Sequence, residues 1–132
     1  MEPRMEGMKT AVSAYQTVQI DAAVLGASPH ELIGKLLARA MEAIAEAKEQ
    51  IQTKDISGKS QNIKIATSII SDGLRSSLNM EAGGEIAANL DGLYDYMLRQ
   101  LMKAHAENNT AILDEIVTLL QEIKSGWDGI KP

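Results

Sequence analysis

The chain has 132 residues, 45% of them apolar but only 3% aromatic, with 13 basic against 18 acidic side chains and a formal charge of −5. That length suits one domain, and the apolar share argues for a folded globule. With no Cys there is no disulfide frame, thiolate nucleophile or cysteine metal knot, and the acidic balance speaks against a whole-domain nucleic-acid binder.

The N-terminal stretch carries Glu, Arg, Pro and Lys and has no signal-peptide pattern. No apolar run approaches the ~18 residues that span a bilayer. A soluble intracellular protein without membrane insertion is therefore expected. Residues 1–27 read as a mobile arm with room for one short helix. Val12, Tyr15, Val18, Ala22 and Leu25 are helically spaced but sparse.

Residues 28–132 read as the bundle domain. Ser28-Pro29-His30-Glu31 is a helix start, with Ser28 as N-cap, Pro29 in the first turn and Glu31 completing a capping box. Leu32, Ile33, Leu36, Leu37, Ala40, Met41, Ile44, Ala47 and Ile51 then recur at three- and four-residue steps to about Gln52. Thr53 to Gly58 is the expected break. A second helix over about Lys59 to Leu78 carries Ile63, Ala66, Ile70, Leu74 and Leu78 on one face, with Ile65 and Ile69 off it. Asn79 to Gly84 is the next turn, broken by Gly83-Gly84.

A third helix over about Glu85 to Ala106 has a face of Ile86, Leu90, Leu93, Tyr94, Met97, Leu101 and Ala104. Leu98 and Met102 widen it, and Tyr96 points away. Asn108-Asn109 ends this helix and caps a fourth, striped by Ile112, Ile116, Leu119, Leu120, Ile123 and Trp127. Four amphipathic helices joined by short turns predict an all-α fold, an antiparallel four-helix bundle with an N-terminal arm.

Catalytic patterns are missing. Di-iron bundles need Glu-x-x-His, but Ala27 precedes His30 by three residues and Met102 precedes His105 by three. His30 reads as a surface or capping residue. No serine sits in a nucleophile elbow, and no Lys-Ser/Thr pair follows Gly83-Gly84 to make a phosphate loop. The expectation is no enzyme, no metal and no cofactor. Ile65, Ile69, Tyr96, Leu98 and Met102 lie off the main stripes and suit either wide bundle faces or a groove for a partner helix.

Several runs resemble the FliS family of flagellar secretion chaperones. They are Ala14-Tyr15, Ala27 to Ile33, Gly73-Leu74-Arg75-Ser76-Ser77-Leu78, Gly83 to Leu90, Leu93-Tyr94-Asp95-Tyr96-Met97 and the terminal Trp127. Together they cover about Ala14 to Trp127, in order. Gly34 and Ala38 are smaller than the residues often found there. The resemblance implies a bacterial cytosolic chaperone that binds the disordered C-terminal segment of flagellin. Such a chaperone prevents premature polymerisation and assists delivery to the flagellar type III export apparatus. The export gate and other flagellar regulators are further partners it suggests. Tyr15 matches the family's arm tyrosine, and the arm is expected to leave the bundle when flagellin binds. On this reading Val12, Tyr15 and Ile20 occupy the client's ground in the free state, and Ile65, Ile69, Tyr96, Leu98 and Met102 form the client surface. An arm that binds in cis can also bind in trans, so a homodimer stays open. The competing reading is a generic helical-bundle adaptor or regulatory protein without a flagellin client.

Overall fold

The computed structural model describes residues 28–130, which contain four α-helices and one π-helical segment. The arm assigned to residues 1–27, with Val12, Tyr15 and Ile20, lies outside them.

Helix α1 spans Pro29–Thr53. Ser28 is extended (φ −72°, ψ 155°), and its Oγ accepts the Glu31 N–H at 3.1 Å, satisfying one of the orphan amides of the first turn. The helix closes on Lys54, which adopts the left-handed region (φ 61°) and donates its N–H to the carbonyls of Gln50 and Ile51. Helix α2, Ile56–Ser68, begins at once, with Asp55 accepting the Gly58 N–H at 3.0 Å. The break is thus two residues long, where Thr53 to Gly58 was expected. A Cβ on Gly58 would meet the side-chain ends of Asp55 and Gln50, so a larger residue there would have to displace the α2 cap and the Gln50 contact to Asn62.

The expected single helix over Lys59–Leu78 does not stay α-helical. Ile69–Arg75 is a π-helix, and the Ser76 N–H bonds the Ser71 carbonyl five residues back at 3.0 Å. The sequence carries the reason. Ala66, Ile70, Leu74 and Leu78 follow at four-residue steps, and each such step overshoots an α-turn by about 40°. A wider turn absorbs that drift, and all four side chains are buried.

Helix α3 spans Met80–Glu107, capped by Asn79, whose Oδ1 accepts the Ala82 N–H at 2.9 Å. The stretch expected as a turn is therefore a first helical turn followed by a kink at Gly84 (φ 53°, ψ −130°). That backbone geometry is open to glycine and strained for other residues. Asn108 (φ 52°) ends α3 in the left-handed region, and Asn109 caps helix α4, Thr110–Asp128, by accepting the Ile112 N–H at 3.2 Å.

Helix α1 packs on α2 and α4, while α3 packs on α4, α2 and the π segment. Cross-links show each neighbouring pair to be antiparallel. Asn62 donates to Gln50 at 2.9 Å, Lys48 pairs with Asp114 at 2.8 Å, Lys59 reaches Asn108 at 2.7 Å, and Tyr96 reaches Glu115 at 2.6 Å. The core contains Ile33, Leu37, Ile44, Ile70, Leu74, Tyr94, Met97, Leu101, Leu113, Ile116 and Leu120, all at 0% exposure. Ala40, Ala43 and Ala47 are equally buried, and their small side chains let neighbouring helices approach α1 closely.

Candidate partner-binding surface

Among the described residues no three His, Cys, Asp or Glu side chains are grouped to hold a metal. No helix there is long and apolar enough to cross a membrane. The helix seams carry apolar side chains that the core only partly covers.

The expected client residues fall on three different seams. Ile65 and Ile69 are half-buried and packed against the core. At 100° per residue they lie about 60° and 20° from Asn62, which turns to Gln50 of α1. They therefore edge the α1–α2 seam. Leu98 is half-buried and Met102 is 72% exposed. Both share the flank of Asp91 and Asp95, which face Arg75 of the π segment. Tyr96 lies about 200° from Leu98 and is half-buried, its hydroxyl donating to Glu115 of α4. That donation, first, and some burial hold the Tyr96 hydroxyl above its ordinary pKa.

Sequence periodicity passed over a further set. Ile86, Leu90 and Leu93 of α3, and Leu119 and Ile123 of α4, sit on stripes assigned to the core, yet all five are only half-buried. The Tyr96–Glu115 bond fixes the α3–α4 register and brings Leu90 and Leu93 to the level of Leu119 and Ile123. In this half of α3 the fully buried side chain is Ala87, which the expected stripe did not include. Its small side chain marks where the helix axis faces the core, so its larger neighbours point along the seam. The signal was readable: Ala87, Tyr94 and Leu101 recur at seven-residue intervals.

Arg75 anchors the other side of α3. Its guanidinium contacts Asp91 at 2.8 Å and Asp95 at 3.1 Å, and Asp95 also pairs with Arg99 at 3.0 Å. The hydrogen bond to Asp91 leads the causes that raise the Arg75 pKa, against a smaller opposing effect of burial. His30 is not merely a surface or capping residue. Its ring stacks on Trp127 with centroids 5.0 Å apart. Its Nε2 lies 2.8 Å from the Trp127 carbonyl, and Trp127 Nε1 donates to the His30 carbonyl at 2.9 Å.

Clefts among the described residues include two between helices. One of about 330 Å³ lies between the α1–α2 and α3–α4 turns, lined by Gln50, Ile51, Lys54, Asp55, Ile56, Lys59 and Asn108. The other, about 270 Å³, runs between α1 and α4 beside Met41, Gln121, Lys124, Ser125 and Asp128.

The described residues form an all-α bundle with half-covered apolar seams and capped, tightly turned ends. The chain belongs to the FliS family: the family model described as flagellar protein FliS matches residues 11–132. It is 46% identical to the flagellar secretion chaperone FliSB of Pseudomonas aeruginosa over 126 residues, covering 96% of this chain and 98% of that one. It is 40% identical to the flagellar secretion chaperone FliS of Vibrio cholerae over 125 residues, covering 95% and 91%. With that of Salmonella typhimurium the identity is 38% over 123 residues, covering 93% and 91%.

Proposed function

We propose that this chain is a chaperone of the bacterial cytosol that binds the disordered C-terminal segment of flagellin, prevents its premature polymerisation and assists its delivery to the type III export apparatus. Membership of a family of flagellar secretion chaperones supports a flagellar client. The observation that carries the binding mode is the α3–α4 seam, where Ile86, Leu90, Leu93, Leu119 and Ile123 stay partly uncovered.

A polymerising segment exposes apolar helix faces that aggregate when free. A bundle offering half-covered apolar seams can hold such faces while they fold onto it. Ordering the client opposes the gain from burial, which keeps net affinity moderate and release feasible. Val12, Tyr15 and Ile20 of the arm are proposed to occupy client ground before binding. Ile65, Ile69, Tyr96, Leu98 and Met102 are proposed to border the path of the client, together with the α3–α4 seam.

Calorimetry with full-length flagellin, and with flagellin lacking its C-terminal segment, tests the reading. Binding to the first and loss with the second are expected. Equal binding would move the contact away from the flagellin C-terminal segment, and none to either favours an adaptor with another client.

A further inference from the structure

We propose that the cleft between the α1–α2 and α3–α4 turns is a recognition site for an acidic side chain flanked by apolar residues in a partner polypeptide. Lys59 stands at its back and is only 8% exposed. An ammonium has three donors. The Lys59 Nζ contacts are the Asn108 Oδ1 at 2.7 Å and the His105 carbonyl at 3.3 Å, both neutral. Among the described residues no carboxylate pairs with it; Lys35, Lys54, Lys64 and Lys103 have no ion pair either, but they are exposed to water, whereas Lys59 is buried. A cation withdrawn from water without an anion is costly, and a carboxylate arriving at it gains accordingly.

The rest of the cleft fits the same ligand. Helix α2 begins there, and the positive end of its dipole favours an anion. Two helix C-termini also end nearby, and four of their carbonyls are engaged: those of Gln50 and Ile51 by the Lys54 N–H, Ala104 by the Asn108 N–H, and His105 by Lys59. Asp55 also lines the cleft; its Oδ1 caps α2 through the Gly58 N–H and it makes no ion pair with Lys59, so its charge lowers the gain from an incoming anion without taking that anion's place. Ile51 supplies a half-buried apolar wall, and Ile56 stands at the rim, 73% exposed. An internal glutamate or aspartate has apolar neighbours on both sides to cover these two isoleucines. A chain terminus has neighbours on one side alone.

The test uses the full chain, labelled with ¹⁵N, and three short probe peptides. The first is blocked at both ends and has glutamate between two leucines. The second is the same with glutamine. The third has no acidic side chain and ends in a free carboxylate after leucine. The glutamate peptide is expected to shift the Asn108 side-chain amide and the backbone amides of Lys54 to Gly58. It should bind about tenfold more tightly than the glutamine peptide, the margin of a charge-assisted hydrogen bond over a neutral one. Lys59→Met should erase that margin. Ile56→Ser, at an exposed position that leaves the core intact, should weaken the glutamate peptide several-fold. Equal binding of the glutamate and glutamine peptides, tighter binding of the free carboxylate, shifts mapping elsewhere or no binding at all would each overturn the proposal. Its failure leaves the flagellin reading standing, because the calorimetric test does not depend on this cleft.

Discussion

His30 and Trp127 hold the start of α1 to the end of α4 by two reciprocal hydrogen bonds and a ring stack at 5.0 Å. The two residues are 97 positions apart, so the contact closes the bundle. Trp127 is 6% exposed. Trp127→Ala should destabilise the fold by about 3–5 kcal/mol and His30→Ala by about 1 kcal/mol. A double-mutant cycle by urea unfolding should show coupling between them, since both substitutions remove the same stack. Additive losses would show that the two residues act separately.

Glycine content separates two positions in α3. Gly84 has φ 53° and ψ −130°, with nothing within 4 Å of an added Cβ, so Gly84→Ala suffers from backbone strain alone. A loss of about 1–3 kcal/mol is expected. Gly92 sits exposed in regular helix, also with open space around it. Gly92→Ala should stabilise by about 0.5–1 kcal/mol. Thermal melts of the two variants should move in opposite directions.

Tyr96 donates to Glu115, so the folded protein keeps that phenolic proton longer than the unfolded chain does. A raised folded-state pKa gives a contribution that is fully present below the ordinary tyrosine value of about 10. It is lost as pH rises through the folded value. Ultraviolet titration should show the Tyr96 transition falling back toward the ordinary range in Glu115→Gln. An unchanged transition would show that the Glu115 charge has no part in it.

Arg75 joins the π segment to α3 through Asp91 and Asp95. Arg75→Ala should lower the melting temperature and speed amide exchange in Ile69–Arg75. Arg75→Lys should recover only part, because an ammonium lacks the planar fork. At 1 M salt, where the Debye length falls to about 3 Å, the gap between wild type and Arg75→Ala should narrow.

Charge on the proposed client surface should act differently by site. Met102 is 72% exposed, so Met102→Glu should leave melting unchanged and, on the flagellin reading, weaken client binding. Ile65→Asp and Ile69→Asp should also lower stability, because both side chains pack against the core. Leu90→Glu and Leu93→Glu should affect binding more than Met102→Glu does. Equal effects from all three would argue against the α3–α4 seam.

Much of this architecture was legible in the sequence because helix periodicity and caps are local. Ser28, Asn108 and Asn109 announce their ends directly. The stripe from Ile63 to Leu78 is buried as expected. What the pattern missed depends on tertiary geometry. Lys54 enters the left-handed region without being glycine, shortening a corner that composition makes look long. His30 resembled a capping residue because its partner lies at the far end of the chain. The seven-residue spacing of Ala87, Tyr94 and Leu101 marks the core face of α3, but how far Leu90 and Leu93 stay uncovered follows from how closely α3 meets α4, which spacing on one helix does not encode. The π turn left a trace in three successive four-residue steps, but only packing shows that the backbone widens to follow them.

That π turn also gives the chain a place to absorb a change in length. It holds more residues per turn than the α-helix on either side, so one residue between Ile69 and Arg75 is surplus to α-helical winding. Deleting Ser71 or Asp72, which lie off the buried positions Ile70 and Leu74, should let the segment rewind as α-helix while Asn79 still caps α3. The same deletion inside α1 would rotate every following core residue by 100°. Tolerance to indels should therefore be concentrated in these seven residues.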